Sequence, residues 1–322
     1  MREILTIAIP TYNHHELLKE QLISLIPQIT TEVILIVVDN CSNPPVRVFL
    51  EKEGVNTSSF TIIENEQNIG GDGNILKCYN ITETDWIWIL SDDDFIEKDA
   101  LATVLEIISE NQDSVFINFF AYRNRVGLSK GYMEFCRNAC YWATFSISHC
   151  AFNIKKFGKY LSYYEEQVKT HQPQFLTLLK YLKENGDATC YFTNDRIFRK
   201  SHPANWPKAA FIYDSFMIYD IIPKEDLSVF KQTIGRQVIK TQLYLLVIAR
   251  VYEGLSLKNY LMLFKRIIGN SPKTHLIFNK SLLFWTVCLI SPKVYYFLRR
   301  ITVSRDMDYN FSDFSKNLQW KY

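Results

Sequence analysis

The sequence predicts an α/β domain built on a doubly wound, mostly parallel sheet, followed by a helical C-terminal extension. Short apolar runs alternate with amphipathic helical patterns over roughly residues 3–120, the pattern of strand and helix in turn. One of those runs, "VILIVV" at 33–38, is apolar at every position, as a parallel strand covered on both faces requires. Beyond residue 150 the alternation gives way to helical patterns.

Each element has its own local signal. The first strand, "ILTIAI" at 4–9, stops at Pro10 and a polar turn. Leu18, Leu22 and Leu25 then fall at helical spacing within "HELLKEQLISLI". "FTII" at 60–63, a helix over 72–82, "WIWIL" at 86–90, a helix over 98–110 and "SVFINFF" at 114–120 continue the alternation. Further helices are expected over 164–184, 224–252 and 255–268, with a loop at "SHPANWP", 201–207.

Composition bounds the rest. A chain of 322 residues is about two domains' worth, or one large domain with an appendage. With 48% hydrophobic and 22% charged residues it is globular, and a net charge of +2 leaves the local distribution of charge to carry the information. The seven cysteines are odd in number and include no Cys-x-x-Cys pair, which indicates neither a disulfide framework nor a zinc site and fits a reducing cytosol. The N-terminal apolar stretch is too short for a signal peptide, so secretion is not expected. The run "LLFWTVCLI" at 282–290, apolar apart from Thr286, is less than half of the about 20 residues that a spanning helix needs.

In open α/β sheets ligands bind beyond the carboxyl ends of the strands. The polar clusters of this chain fall there: "PTYN" (10–13), "DN" (39–40), "ENEQNIGGDGN" (64–74) and "SDDD" (91–94). Three consecutive carboxylates, Asp92, Asp93 and Asp94, repel one another unless a positive charge is near. If the segment is extended, Asp92 and Asp94 point the same way and suit a hard cation, Mg²⁺ or Mn²⁺, which takes one or two carboxylates together with substrate phosphate oxygens. The competing account is a solvated turn in which one Asp caps the next helix. Gly70, Gly71 and Gly73 permit a close backbone approach before a helix N-terminus, either as a phosphate cradle or as a structural turn. They do not form the dinucleotide fingerprint, because Gly-x-Gly-x-x-Gly is absent.

"IAIPTYNHHELLKEQLISLIPQ", "EVILIVVDNCS", "NEQNIGGDGNI" and "WIWILSDDDFI", taken in order and spacing, resemble the nucleotide-sugar-binding half of family-2 glycosyltransferases of the GT-A fold, over roughly residues 3–120. Ser before three Asp particularly resembles bacterial enzymes that assemble O-antigen or capsule repeat units. The resemblance implies a catalytic domain at 1–222, with a nucleotide-sugar-binding half at about 1–120 and an acceptor half at about 121–222, and a separate region at 223–322. It implies that Pro10, Thr11, Tyr12, Asn13, Asp39 and Asn40 hold the nucleoside and that Asn68, Gly70, Asp72 and Asn74 support the donor. Ordinary roles compete: Pro10 and Asn13 are turn formers, and Asp39 is a candidate helix cap. The commonest family form, Leu-Asp-x-Asp-Asp, puts Ser91 at the first Asp and leaves Asp93 and Asp94; alternatively Asp92 and Asp94 are the metal pair, with Asp92 and Asp93 also near the donor.

The family reaction inverts the anomeric centre and uses a carboxylate as general base near the start of a helix beyond the acceptor loop. The corresponding region is "YYEEQVKTHQPQF" (163–175), where Glu166, Glu165 and His171 are the candidates. Paired Glu before Lys is also a common solvated helix face. Trp206, with His202 and Asn205, is a candidate acceptor platform, because an aromatic face suits the apolar side of a sugar ring.

From Gly254 to Arg305 there is no Asp or Glu, while Lys258, Lys265, Arg266, Lys273, Lys280, Lys293, Arg299, Arg300 and Arg305 are interleaved with aromatics. Such a segment suits an anionic membrane surface. The α/β carboxylate site and the lack of a recognition motif argue against nucleic acid as the partner. The expectation is therefore an inverting, metal-dependent glycosyltransferase, cytoplasmic and peripheral on the inner face of the cell membrane, that takes a nucleotide-diphosphate sugar and a lipid-linked saccharide acceptor. The alternatives are a sugar-1-phosphate nucleotidyltransferase, for which "PTYNHHE" lacks the expected glycine-rich basic loop, and a catalytically inactive binding scaffold.

Overall fold

The computed structural model describes residues 2–121, 125–201, 212, 216–222, 224–252 and 254–270. The chain divides into two compact units, Met1–His202 and Pro203–Tyr322.

The first unit opens as the alternation predicts. Strand β1 (Leu5–Thr11) leads to helix α1 (His15–Leu25), β2 (Val33–Asp39) to α2 (Val46–Lys52), and β3 (Thr61–Glu64) to α3 (Gly71–Asn80). After β4 (Trp86–Ile89) come a short strand β5 (Asp94–Ile96), α4 (Ala100–Glu110) and β6 (Ser114–Asn118). The remainder is β7 (Gly127–Lys130), α5 (Gly131–Asn138), α6 (Tyr141–Phe145), β8 (Cys150–Asn153), α7 (Ile154–Phe157), α8 (Leu161–Gln167), α9 (Pro173–Glu184), β9 (Thr189–Phe192) and β10 (Phe198–Ser201).

Among the described residues, eight strands form one sheet in the order β3-β2-β1-β4-β8-β6-β9-β7. The β3-β2-β1-β4 half is parallel throughout, while β8 and β7 run antiparallel to their neighbours. Strand order reverses on either side of β1, so the loops after β1 and β4 open onto one crevice at the carboxyl edge. Leu5, Ile7 and Ile9 of β1 are fully buried against Leu18, Leu22 and Leu25 of α1, each side chain contributing about 1.5–3 kcal/mol of transfer free energy. Trp88 of β4 is also buried, with its indole N–H donating to the Ser148 carbonyl at 2.7 Å and its ring edge-on to Phe119.

Several expectations need correction. The chain past residue 150 is not helical alone, because β8 and β9 complete the main sheet and β10 pairs antiparallel with β5 in a separate ribbon. The helix expected over 164–184 is two, α8 and α9, interrupted by a tight turn at Val168–Thr170 and by His171 in the left-handed region at φ 54°. Pro173, at the first turn of α9, lacks the N–H that a continuous helix would need there. The tight β7–α5 junction depends on Gly131, whose φ is +67° and where a Cβ would stand 2.6 Å from the Gly186 carbonyl oxygen.

The described part of the second unit is helical: α10 (Met217–Ile221), α11 (Lys224–Gln232), α12 (Ile234–Tyr252) and α13 (Leu257–Gly269). The single helix expected over 224–252 is thus divided at Thr233. Helix α13 buries Tyr260, Leu263 and Ile267 on one face and exposes Leu257, Leu261 and Met262 beside Lys258 and Lys265 on another. Among the described residues, no helix is long and apolar enough to cross a membrane. His202, Asn205, Trp206 and the basic stretch from 271 onward lie outside the described residues.

Candidate active site

Four strand ends of the first unit bring their loops to one edge of the sheet, and hydrogen bonds join the loops to one another. The loop after β1 is tied to that after β4 by Asp92, whose carboxylate accepts from the Thr11 hydroxyl at 2.6 Å and pairs with His14 Nδ1 at 3.1 Å. Asp92 is 5% exposed, and its hydrogen bond to His14 raises the His14 pKa above its ordinary value against the opposing effect of burial. Thr11 also accepts from the Asn40 amide at its carbonyl, which joins β1 to the end of β2.

The carboxylate run is a turn and not an extended segment. The Asp94 N–H donates to the Ser91 carbonyl at 3.2 Å, so Asp92 and Asp93 occupy the corners and the strand-type alternation expected for Asp92 and Asp94 does not apply. Ser91 donates its hydroxyl to Asp93 Oδ1 at 2.5 Å. Burial, foremost, raises the Asp93 carboxyl above the ordinary carboxylate range; Asp94 and Asp92 add to this, while Ser91 and His14 oppose it.

Such a turn, short of positive charge and built of hard oxygen donors, fits Mg²⁺ or Mn²⁺. Among the described residues no three His, Cys, Asp or Glu side chains converge on one point, so a cation here would rest on a carboxylate or two and on substrate phosphates. Asp92 is engaged by Thr11 and His14, and Asp93 by Ser91.

The turn is supported by residues that the sequence reading did not single out. Gln21, fully buried in α1, donates from Nε2 to the carbonyls of Ser91 at 2.5 Å and Asp94 at 3.0 Å, gripping the turn at both ends. Its signal was available: Gln21 is a polar residue inside the apolar stripe of Leu18, Leu22 and Leu25. The Ser148 hydroxyl accepts from the Ser91 N–H at 2.9 Å, and β10 pairs with β5 in the register Ser201↔Asp94. Replacing Gln21 by Leu removes one donor from each of two turn carbonyls; we expect about tenfold weaker binding of Mn²⁺-nucleoside diphosphate, measured by calorimetry, with the fold retained.

Asp39 does not present its carboxylate to the crevice. It is 1% exposed, and its two oxygens accept from the backbone N–H groups of Ser42 and Val46, each at 2.9 Å, so it caps α2 and the preceding turn. Asn40 is likewise buried in an amide network. Its Nδ2 donates to Asn68 Oδ1 at 2.9 Å, and its Oδ1 accepts from Asn65 at 3.0 Å and from the Ile69 N–H at 3.0 Å. Asn65 also donates to Asn74 Oδ1, Asn74 donates to the Val38 carbonyl, and Lys77 donates to Asn65 Oδ1. Asn65 and Lys77 are further residues missed in the sequence, where an asparagine-rich loop reads only as a turn.

This network fixes the glycine turn. Gly70, at φ 80°, donates its N–H to Asn68 Oδ1, and a Cβ at Gly70 or Gly71 would meet no atom within 4 Å. The turn therefore faces open space at the N-terminus of α3, where backbone N–H groups favour an anion. Tyr12, 45% exposed, and Asn13, at φ 57° with Oδ1 accepting from the Asn43 N–H, form the rim beside Pro10. A cavity of about 440 Å³ on the flank of α1, lined in part by His14, His15, Pro44 and Phe49, adjoins the carboxylate turn through His14.

The three base candidates separate. Glu165 and Glu166 are exposed on α8. His171 instead reaches the glycine turn, with its Nδ1 2.7 Å from Oδ2 of Asp72, the second residue of α3. Asp72, expected to support the donor, meets this histidine.

The comparisons with known proteins agree with this geometry. Residues 6–165, about half of the chain, match the model of Glycosyl transferase family 2. Abequosyltransferase RfbV of Salmonella typhimurium is 30% identical over 118 residues, 35% of this chain and 35% of its own length. The poly(ribitol-phosphate) beta-N-acetylglucosaminyltransferase TarS of Staphylococcus aureus is 24% identical over 210 residues, 59% of this chain and 35% of its own. The matched segments thus span about a third of the length of these curated relatives. Among solved structures, S. aureus TarS 1–349 in complex with UDP-GlcNAc superposes with a TM-score of 0.51 at 14% identity, covering 84% of this chain and 82% of that one. The mannosyltransferase PcManGT from Pyrobaculum calidifontis, in complex with GDP-Man and Mn²⁺, gives 0.52 at 13% identity, covering 90% and 85%. These structural likenesses establish the mixed, mostly parallel sheet flanked by helices as the GT-A fold. The chain belongs to the family-2 glycosyltransferases, whose domain it carries at residues 6–165.

Proposed function

We propose that the protein transfers a sugar from a nucleoside diphosphate donor to a hydroxyl of a polyprenyl-diphosphate-linked saccharide, with inversion at the anomeric carbon, in surface polysaccharide assembly. The observation that carries the reading is that the carboxylate turn 91–94 and the open glycine turn 70–71 share the carboxyl edge of one parallel sheet. A nucleotide-sugar asks for both: a negatively charged diphosphate needs a cation site, and its sugar needs room beside backbone donors. The names of the relatives, an abequosyltransferase and a poly(ribitol-phosphate) beta-N-acetylglucosaminyltransferase, support sugar transfer as the reaction.

Asp93 and Asp94 are the carboxylates proposed to hold Mg²⁺ or Mn²⁺, while Asp92 clamps the turn to Thr11 and His14. The cation, when bound, neutralises the charge that develops on the leaving diphosphate. Tyr12 offers an exposed ring for stacking a nucleobase, and Asn13 and Asn68 border the same rim. The Gly70–Gly71 turn leaves space for the donor sugar with no side chain in the way. The acceptor's lipid would keep it at a bilayer, and the exposed Leu257, Leu261 and Met262 of α13, flanked by Lys258 and Lys265, support peripheral attachment to an anionic surface. The division into a catalytic domain at 1–222 and a membrane-associating region at 223–322 is part of the same proposal.

The test incubates the full chain with UDP-, GDP-, CDP- and dTDP-sugars, Mn²⁺ and polyprenyl-diphosphate-linked saccharides. Release of one nucleoside diphosphate that depends on the acceptor, with a product of inverted anomeric configuration by proton NMR, is expected. A product of retained configuration would refute the inverting mechanism, and absence of release with every donor would refute the transfer reading.

A further inference from the structure

Strand β10 carries a bulge beside the carboxylate turn. It pairs antiparallel with β5 in the register Phe198↔Ile96, Lys200↔Phe95 and Ser201↔Asp94, and the slip between Phe198 and Lys200 leaves Arg199 as the extra residue. A bulge re-aims a side chain, and bulges gather next to active sites. Here the guanidinium lies over the Phe95 ring, 5.9 Å from its centroid, within the range of a cation–π contact. Phe95 is 1% exposed whereas Arg199 is exposed, so a buried ring is the floor on which the arginine rests.

No carboxylate matches this charge. Arg196 on the same segment pairs with Glu97 at 2.7 Å, and Arg47 with Glu64 at 3.7 Å, but Arg199 enters no ion pair among the described residues. Stacking on an aromatic face occupies the plane of a guanidinium and leaves the N–H donors at its edge for a bidentate acceptor such as phosphate. Phe95 directly follows Asp94, so the cation is tethered next to the turn in which Asp92, Asp93 and Asp94 crowd together. Once loaded, that turn is short of positive charge: a divalent cation offsets less than three carboxylates and a diphosphate bring, and His14 is turned to Asp92. A purely packing role, a stem that covers Phe95, requires neither the charge nor the fork.

We propose that Arg199 is a diphosphate-binding residue of the transfer site, its guanidinium carried on Phe95 at the edge of the carboxylate turn and donating to diphosphate oxygens. The assignment rests on the glycosyl-transfer reading. Two diphosphates meet in that reaction, the donor's nucleoside diphosphate and the acceptor's polyprenyl diphosphate, and the chemistry that recognises them is the same, a planar fork of donors on a permanent positive charge. Such a contact adds affinity for the diphosphate and none for the nucleoside alone.

The experiment measures binding to the full chain, with Mn²⁺, of the nucleoside diphosphate selected by the panel above, of the matching nucleoside, and of geranyl diphosphate as a soluble prenyl diphosphate. Calorimetry serves for the diphosphates and NMR titration for the weaker nucleoside. Arg199→Met keeps an apolar stem over Phe95 and removes the charge, whereas Arg199→Lys keeps the charge without the fork. Arg199→Met is expected to bind one or both diphosphates about tenfold or more weakly, with the nucleoside Kd and the thermal unfolding midpoint close to wild type, and Arg199→Lys to fall between the two. A loss confined to the nucleoside diphosphate assigns the contact to the donor, a loss confined to geranyl diphosphate assigns it to the acceptor lipid, and a loss of both assigns it to each. If wild type binds the nucleoside diphosphate and Arg199→Met binds both diphosphates within about threefold of wild type, or loses the nucleoside equally, the assignment is wrong while the transfer reading stands. If wild type binds no nucleoside diphosphate, the transfer reading falls and the assignment falls with it.

Discussion

Replacing Asp94 by alanine is expected to lower kcat/KM by about a thousandfold or more while the protein stays folded, which is what the cation role proposed for this carboxylate requires. The backbone at this position is held independently of the carboxylate: the Asp94 carbonyl accepts from Gln21, its N–H donates to Ser91, and β5 pairs with β10. Asp93→Ala should fall in the same direction, whereas Asp92→Ala should act chiefly on stability, because Asp92 bridges Thr11 and His14. Turnover at saturating Mn²⁺, read beside the thermal unfolding midpoint, checks all three. An Asp94→Ala enzyme with wild-type turnover would remove the carboxylate turn from the mechanism.

Replacing Asp39 by alanine is expected to cost about 3–5 kcal/mol of folding stability. The carboxylate is buried, and each oxygen accepts a backbone N–H at 2.9 Å; charge-assisted bonds of this kind contribute about 1.5–3 kcal/mol each. Their loss orphans the Ser42 and Val46 amides at the start of α2. Urea unfolding of Asp39→Ala, compared with Asp39→Asn, which retains one acceptor and should lose about half as much, measures the effect. A purely ligand-binding role for Asp39 predicts the opposite result, unchanged unfolding with weakened nucleotide binding.

The same two residues show what the sequence could and could not convey. The strands β1, β2, β4 and β6 were legible because a strand buried on both faces is a largely apolar run, the edge strand β3 because its short apolar stretch continues the alternation, and α1, α3 and α4 because each follows a strand with helical periodicity. The clustering of Pro10–Asn13, Asp39–Asn40, Asn68–Asn74 and Ser91–Asp94 at one edge followed from parallel topology alone. Which way each side chain points did not. Asp39 and Asn40 turn inward because the chain beyond β2 needs their hydrogen bonds, and adjacent polar letters do not record that need. Between the extended and the turn reading of Asp92–Asp94 the sequence could not choose, because a four-residue turn leaves no periodicity to read.

Short elements were missed for the same reason. β5 and β10 are three and four residues long, and their pairing is a contact across about a hundred residues that no local pattern announces. The break between α8 and α9 had a local cue in Pro173, but the consequence that matters, a histidine held against Asp72, depends on the packing of α8 on α3 through Tyr164 and Tyr79. Gln21 was legible in principle, since a polar side chain in an apolar helical stripe must find buried partners, and it finds them in the Ser91 and Asp94 carbonyls.

The account stands most directly on whether the carboxyl edge of the sheet binds a nucleoside diphosphate through a divalent cation. Calorimetric titration of the full chain with UDP, GDP, CDP and dTDP, each with Mn²⁺ and again with chelator, measures this. One nucleotide is predicted to bind with Mn²⁺ and to lose most of its affinity on chelation. Binding of no nucleotide under either condition, or binding indifferent to the metal, would contradict the account.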